Sequence, residues 1–332
     1  MSTLSLSAAF SANDMTAPVL DGRVAPEGID WVCSAVHPSE MFWRQLRFGD
    51  FDVSEMSLSS LFISIAQGKR EWVAIPVFTT RRFFHTGIVI RAGAGITEPR
   101  DLAGKRVGVP EYQQTAAVWS RGALQHEFGV TPDQLHWYME RVSSRSHGGA
   151  TRFVPPEGVE LDYIPAGRTL GEMLADGELD AALVYIASRN LVDRTRSAAS
   201  EIPEVRPLFA DPAAEGLRYY RKTGLLPVNH CVVVRKEIAD AHPWVTLNIY
   251  SAFLRAKELV TEQAARLIGP WCQVGALPAD AARAIRGVDP QPYGVQCQPE
   301  VFQALSSYQL EQGLAPRRVS YEEAFAGNTL DL

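Results

Sequence analysis

The chain has few cysteines, and none of the spacings that would pair them around a metal or in a disulfide framework. The four cysteines are widely separated and none lies in a CxxC pair: Cys33, Cys231, Cys272 and Cys297. Scattered cysteines of this kind are more often reduced core residues than ligands or bridges. No cluster of His, Cys and carboxylates has metal-ligand spacing either, so a metal site is unsupported by the sequence rather than excluded.

The sequence also has no excess of positive charge and no long hydrophobic run. Its net charge of −6 argues against nucleic-acid binding, although it does not exclude a local cationic pocket for an anion. The first segment, MSTLSLSAAFSANDMTAPVL, has no Lys or Arg before its apolar stretch, which Asn13 and Asp14 interrupt. Because this is a poor secretory signal and no later run is long enough to span a membrane, we expect a cytoplasmic protein without a membrane partner.

Several well-known catalytic motifs are missing. There is no GxSxG, no phosphate-binding P-loop and no HExxH. The stretch RAGAGI carries two glycines but no following helix with a third, so a dinucleotide site is weakly supported. The sequence therefore gives no support to these three chemistries or to a dinucleotide cofactor.

What the sequence does contain is a regular alternation of strand-like and helix-like segments. Strand, helix, strand, helix, strand follow one another from about residue 20 to residue 80, and a similar unit follows from about residue 91. This order predicts an α/β fold with mostly parallel sheets covered by helices. We expect residues 1–88 plus 240–332 to form lobe 1 and residues 89–239 to form lobe 2, with a ligand cleft between them.

One apolar strand, IPVFTTRRFFHTGIVIR at residues 75–91, carries charged and titratable residues in its middle. Alternation along a strand would place Arg81, Phe83 and His85 on one face, opposite Arg82 and its neighbours. A guanidinium, an aromatic ring and an imidazole together could hold a planar aromatic anion. The alternative is a strand that crosses between domains, with solvated arginines and a structural histidine.

Other candidate residues lie at strand ends and helix starts, where free backbone N–H groups bind anions. They are His37, Ser57, Ser59, Glu111, Tyr112, Gln113, Thr115 and His230. His230, in LPVNHC, is a second candidate histidine of the cleft or a hydrogen-bonded core residue. His37 could instead cap a helix, and Glu111 could either favour a helix dipole or act as a cleft acid with a raised pKa.

Three segments resemble the 4,5-dihydroxyphthalate decarboxylase family: IPVFTTRRFFHT, DLAGKRVGVPEYQQTAAVWSRGALQHEFGV and YQLEQGL. The resemblance extends from about residue 20 to residue 325. It implies a type II periplasmic-binding-protein-like fold, in which two lobes are joined by a hinge of two crossing strands and C-terminal helices pack on lobe 1. It also implies the loss of one carboxylate from 4,5-dihydroxyphthalate, giving protocatechuate and CO2. The chain departs from the family pattern at Phe84, where a second basic residue is common.

For that reaction we expect no cofactor and a small aromatic dicarboxylate as the partner. Arg81 would bind the retained carboxylate, and His85 and His230 would share the proton transfers, with Glu111 as an additional acid. Phe83 would stack on the ring, and Arg82 would take part only if the strand twists or bulges. Helix starts at Ser57 to Ser59 and Gln113 to Thr115 would bind carboxylates, and C-terminal helices could form a homo-oligomer.

A different class of function is also compatible with this fold. A solute-binding protein would capture an aromatic or sulfonated anion without converting it, and fold alone does not separate the two. Paired histidines favour catalysis, because a binding protein needs donors but no proton transfer. A pyrimidine-precursor or thiamine-related protein of the same fold is disfavoured, because the expected cysteine and histidine clusters are missing.

Overall fold

The computed structural model describes residues 3–332, and its strands form two separate sheets. In chain order the strands are β1 Leu4–Phe10, β2 Ile29–Ala35, β3 Val53–Ser57, β4 Trp72–Arg81, β5 Val89–Arg91, β6 Arg106–Val109, β7 His136–Met139, β8 Leu161–Tyr163, β9 Ala181–Ala182, β10 Val205–Pro207 and β11 Val228–Arg235. The first sheet has the order β2-β1-β3-β11-β4 and the second has the order β10-β5-β9-β6-β7-β8. These two sheets are the cores of two α/β units.

Helices connect and cover the strands. They are α1 Ala17–Leu20, α2 Pro38–Phe48, α3 Leu58–Ala66, α4 Thr115–Phe128, α5 His147–Thr151, α6 Leu170–Ala175, α7 Pro212–Thr223, α8 Lys236–Ala241, α9 Trp244–Gln273, α10 Ala279–Arg286, α11 Pro299–Glu311 and α12 Tyr321–Ala324. A 3₁₀ helix, Phe84–Gly87, directly follows β4. No helix of residues 3–332 is both long and apolar enough to cross a membrane.

Each sheet combines parallel strands with antiparallel ones. In the first sheet β1 pairs in parallel with β2 and β3, while β11 runs antiparallel to both β3 and β4. In the second sheet β6 pairs in parallel with β7 and β9, and β5 runs antiparallel to β9 and β10. The chain passes from one sheet to the other after β4 and returns before β11. The predicted α/β class is therefore confirmed.

Two details differ from the sequence-based expectation. Strand β1 was not predicted, yet it lies inside the first sheet, and Ala9 and Phe10 are fully buried. Strand β11 was assigned to the second lobe, which was expected to extend to residue 239. It belongs to the first sheet instead, because its Val-rich sequence pairs with β3 and β4 on both sides. The division of the chain into two lobes otherwise stays a prediction.

The C-terminal helices pack mainly on the first unit. Helix α9 packs against β4 and α1, and α11 and α12 pack against α3. Helix α11 also contacts α4, and this contact requires a glycine. A Cβ atom built on Gly122 of α4 would lie 2.2 Å from the Tyr308 ring of α11. Gly122 therefore allows the two helices to approach closely.

Replacing Gly122 by Ala is expected to destabilise the protein, because the added methyl group overlaps a buried ring. We expect a loss of ~1–3 kcal/mol in the free energy of unfolding, as for other overpacked cores, measured by urea denaturation. Gly167→Ala is the matched control, since no atom lies within 4 Å of its added Cβ. Equal stability of the two variants would contradict the packing described here.

Candidate functional site

A cavity of about 290 Å³ is lined by residues of both α/β units. The first unit contributes His37, Pro38, Ser39, Phe42, Ser57, Thr80, Arg82, Phe84, Gly87, Asn229 and His230. The second contributes Gln114, Thr115, Ala116, Arg141, His147, Val184, Tyr185, Ile186 and Ser188. This volume is at the lower end of the range for small-molecule sites, about 300–1,000 Å³, and therefore fits a compound with a single ring.

Three helices begin at this cavity. Helices α2, α3 and α4 start next to His37, Ser57 and Gln114, and these three residues line the cavity. Helices α3 and α4 are joined at their starts, because the Ser57 and Thr115 hydroxyl oxygens lie 2.8 Å apart. Unpaired N–H groups and the positive end of the helix dipole make such starts favourable for an anion.

A buried arginine presents a free donor at the cavity. Arg141 donates from Nε and Nη2 to the two carboxylate oxygens of Asp193, at 2.6 and 3.1 Å, and from Nη2 to Ser39 Oγ at 2.6 Å. Its Nη1 is buried and has no hydrogen-bond partner within residues 3–332. Because the other contacts fix the guanidinium plane, the direction of the unpaired Nη1 donor is fixed as well.

Asp193 keeps this arginine charged in a buried place. Burial alone would lower the pKa of Arg141, but the carboxylate of Asp193 outweighs burial and raises that pKa. In the same way burial would raise the pKa of Asp193, and Arg141 lowers it. Since the pair is neutral overall, the remaining positive groups at the cavity are the helix starts and Arg82, which is exposed.

The cavity also contains a histidine that is paired with a buried carboxylate. His230, on β11, lies with Nδ1 3.2 Å from Oε2 of Glu55 on β3. The carboxylate accepts the Nδ1 proton, and His230 has its Nε2 edge free for the cavity that it lines. This pairing orients the imidazole.

Glu55 is fully buried, and its neighbours keep it ionised. Ser11 donates from N and Oγ to Oε1 at 2.7 and 2.6 Å, and Thr79 donates from Oγ1 to Oε2 at 2.7 Å. Burial acts to raise the pKa of Glu55, but His230, Ser11 and Thr79 outweigh it and hold the pKa below the usual range. The carboxylate is therefore a fixed negative charge behind the His230 ring.

Five of the residues predicted from sequence line this cavity: His37, Ser57, Arg82, Thr115 and His230. The predicted face of the histidine strand is reversed. Strand β4 ends at Arg81, and the 3₁₀ helix that follows breaks the alternation on which the prediction was based. As a result, Arg82 and Phe84 line the cavity, whereas Arg81, Phe83 and His85 do not.

Each of those three residues has a packing role elsewhere. Arg81 donates to three oxygens of the chain, those of Leu226, Pro292 and the Gln298 side chain, at 2.8 to 3.2 Å. Phe83 contacts Tyr219 and Tyr220 of α7.

His85 is buried with Nε2 3.0 Å from Oε1 of Glu215, also on α7, and its ring packs against Tyr219. In this structure His85 therefore does not line the cavity where it was expected.

The remaining predicted residues lie behind the cavity wall. Ser59 donates to the Gln113 carbonyl at 2.9 Å, and Tyr112 packs its ring under the Arg121 guanidinium at 3.8 Å. Glu111 accepts from the backbone N–H groups of His147 and Gly148 at 3.2 and 3.3 Å. These residues shape the loops that carry the cavity side chains, and they do not line the cavity themselves.

His37 has two contacts that explain its position. Its Nδ1 accepts from the backbone N–H of Ser39 and so caps α2, as the alternative interpretation expected. Its Nε2 lies 2.7 Å from Ser188 Oγ of the second unit. Burial lowers the pKa of His37, which favours the neutral ring.

Comparison with known proteins places the chain in a family. No protein-family model matches it. A curated relative from Comamonas testosteroni, named 4,5-dihydroxyphthalate decarboxylase, is 34% identical over 336 residues, covering 100% of this chain and 99% of the relative. The chain belongs to the 4,5-dihydroxyphthalate decarboxylase family. A second relative in this family, with the same name and from Pseudomonas putida, is 37% identical over 223 residues, 67% of this chain and 83% of the relative.

The fold has a solved counterpart outside the decarboxylase family. The alkanesulfonate-binding protein SsuA from Xanthomonas axonopodis pv. citri, bound to MOPS, aligns with a TM-score of 0.57, 15% identity and 98% of each chain. At this identity the likeness concerns the fold alone. It confirms the expected type II periplasmic-binding-protein-like architecture.

Sequence reasoning missed several cavity residues of this family member. Arg141 lies in a loop and His147 is the first residue of the short helix α5, and no local pattern marks either of them. Val184, which also lines the cavity, has a φ of 53°, a left-handed conformation that a β-branched residue rarely adopts. Backbone strain of this kind clusters at functional sites.

Across residues 3–332, no group of three or more His, Cys, Asp or Glu is arranged to hold a metal.

Replacing Glu111 by Gln is expected to change how stability depends on pH. Burial raises the pKa of this carboxyl to about 7, above its ordinary value of 4.5, while Arg141 opposes the shift. Between these values the folded state holds one more proton than the unfolded state, so wild-type stability falls as the pH rises. Relative to E111Q, the wild type should lose ~2 kcal/mol between pH 5 and pH 7.

Urea unfolding of both proteins at pH 5, 6 and 7 measures this difference. Glu157→Gln, at an exposed position, is the control and should follow the wild type at every pH. Parallel stability curves for the wild type and E111Q would show that Glu111 does not hold a proton in the folded state.

Proposed function

We propose that this chain removes one carboxylate from 4,5-dihydroxyphthalate and releases protocatechuate and CO2. The observation that carries the proposal is the pairing of His230 with the buried Glu55 carboxylate in a cavity that also contains the free Nη1 donor of Arg141. A proton donor and a carboxylate-binding group are what this reaction requires. The curated relatives that share this substrate in their names support the same reaction.

The chemistry explains why a proton donor is needed. Direct loss of CO2 would leave a high-energy carbanion on the aromatic ring, so the ring carbon that bears the carboxylate is protonated first. Each carboxylate of 4,5-dihydroxyphthalate has a hydroxyl para to it, and ionisation of that hydroxyl raises the electron density at this carbon. The carbon takes a proton, the bond to the carboxylate breaks, and its electrons restore the aromatic ring as CO2 leaves.

In this scheme His230 is the proton donor. Protonated His230, held by Glu55, transfers the Nε2 proton to the ring carbon and is reprotonated from solvent, so one proton is consumed for each CO2 released. General acid–base assistance of this type contributes about 10²–10⁴-fold to a rate. The scheme requires no cofactor or metal.

The two carboxylates of the substrate have different partners. The retained carboxylate binds Nη1 of Arg141, because that donor is buried and fixed by Asp193 and Ser39. Arg82, exposed at the edge of the cavity, attracts the dianion together with the starts of α2, α3 and α4. This assignment replaces Arg81 as the carboxylate clamp.

A non-catalytic solute-binding role for an aromatic or sulfonated anion is less well supported. Binding requires the donors of Arg141 and the helix starts, but it does not require a buried carboxylate behind an imidazole. Cytoplasmic location and a homo-oligomeric state stay predictions.

The first test is a direct assay of chelator-treated protein with 4,5-dihydroxyphthalate. Formation of protocatechuate and CO2 in equal amounts is the expected result, because no step of the scheme involves a metal. Saturable binding without turnover would favour the solute-binding role. Neither binding nor turnover would overturn the substrate assignment.

His230→Gln should lower kcat by about 10²–10⁴-fold with a smaller effect on KM, because the variant cannot deliver the proton. His85→Gln should retain nearly wild-type kcat, since His85 lies outside the cavity against α7. Steady-state kinetics of the two variants, with thermal unfolding as the check on folding, distinguish these expectations. A large loss of kcat in His85→Gln together with nearly wild-type kcat in His230→Gln would assign the catalytic role to His85 instead.

A further inference from the structure

A second histidine, His147, lies at the cavity and has a free nitrogen. The residue is 2% exposed, it lines the cavity, and its Nε2 has no hydrogen-bond partner in the described part of the chain. A buried polar atom without a partner is uncommon in folded proteins and calls for an explanation. Neither the relatives' names nor the sequence motifs point to this residue.

The surrounding hydroxyl groups fix the tautomer of His147. Its Nδ1 lies 3.3 Å from Ser60 Oγ, and that hydroxyl donates its single proton to Ser57 Oγ at 3.2 Å. With the Ser60 proton directed to Ser57, Ser60 accepts from His147, and in this arrangement Nδ1 carries the ring proton. The lone pair is consequently on Nε2, the nitrogen without a partner.

The backbone around His147 is held rigidly. The N–H groups of His147 and Gly148 donate to Glu111, and a Cβ at Gly149 would lie 1.5 Å from the Ser143 carbonyl oxygen. Only a glycine fits at that position. These contacts fix the start of α5 and, with it, the direction of the imidazole.

His147 and His230 flank the same phenyl ring but have opposite electrostatic surroundings. Their ring centroids lie 5.5 and 4.6 Å from that of Phe42, each edge to face. Burial and the charge of Arg141 hold the pKa of His147 well below the usual range, so its ring is neutral at pH 7. His230 instead lies beside the negatively charged carboxylate of Glu55. Two groups with such different surroundings suit opposite roles in proton transfer.

We propose that Nε2 of His147 is the general base that removes the proton from the substrate hydroxyl para to the departing carboxylate. This assignment rests on the proposed function. The phenol O–H bond breaks, its proton moves to Nε2, and its electrons move into the ring toward the carbon that His230 protonates. After CO2 leaves, the imidazolium returns the proton to the phenolate oxygen, so His147 is regenerated in each cycle.

Other potential bases near the cavity are engaged or lie elsewhere. Both oxygens of Glu111 accept backbone N–H groups, and both ring nitrogens of His37 have partners in Ser39 and Ser188. Asp193 is fully committed to Arg141. His147 is thus the cavity base with a free lone pair.

The test uses His147→Gln and His147→Asn in the full chain. At pH 7 we expect kcat to fall by about 10²–10⁴-fold with little change in KM. Raising the pH should then raise the activity of the variants relative to the wild type by ~10-fold per unit, because the fraction of substrate that is already ionised grows in this way below a phenol pKa of about 10. His136→Gln, at an exposed position away from the cavity, is the control and should match the wild type.

The ratio of variant to wild-type kcat, measured from pH 7 to pH 9.5, is the deciding quantity. Other titratable and charged groups near His147 are present in both proteins and cancel in this ratio; they are His37, Glu40, Glu111, Arg141, Asp193 and His230. A ratio that rises steeply with pH supports the base role. A low ratio that stays flat would show a purely structural role and overturn the proposal.

Two further outcomes are distinguishable. Nearly wild-type kcat in folded His147 variants would overturn the base assignment while leaving the decarboxylase function intact. Absence of turnover in the wild type would overturn the proposed function itself. Thermal unfolding and protocatechuate binding establish that a variant is folded. If the Gln variant does not fold, the Asn variant is the alternative, because its amide can reach Ser60.

Discussion

The structure depends on one buried negative charge, the carboxylate of Glu55 in the middle of the first sheet. An unpaired carboxylate in this position would cost several kcal/mol, so the neighbouring strands have to supply partners. Ser11 follows β1, Thr79 lies on β4 and His230 lies on β11, and all three bind the carboxylate. The same contacts therefore fix the register of the sheet and orient the imidazole that faces the cavity.

The rest of the cavity is formed where the two α/β units meet. Arg141 of the second unit reaches Ser39 at the start of α2, and Ser188 of the second unit contacts His37. Neither unit alone contains both Arg141, the proposed donor to the substrate carboxylate, and the pair of His230 and Glu55. Water is excluded from such an interface when a ligand fills it, which strengthens the charged contacts. In the proposed scheme, binding and proton transfer therefore depend on the same contact between units.

Sequence patterns predicted the α/β class and the family, but only part of the site. Helix starts are marked by local signals, so His37, Ser57 and Thr115 were found. Alternation along β4 failed because it holds only while the strand continues, and the strand ends before His85. Arg141 and His147 could not be found in this way, because long-range contacts define their positions and the sequence around them has no period. Strand β1 was missed since its small residues resemble a weak leader segment.

The most direct test of this account is a crystal structure of the His230→Gln variant with 4,5-dihydroxyphthalate bound. The account predicts one substrate carboxylate at hydrogen-bond distance from Nη1 of Arg141 and a hydroxyl at the same distance from Nε2 of His147. The carbon that bears the other carboxylate should face the side chain at position 230. A substrate bound outside this cavity, or one whose hydroxyl groups point away from His147, would contradict the account.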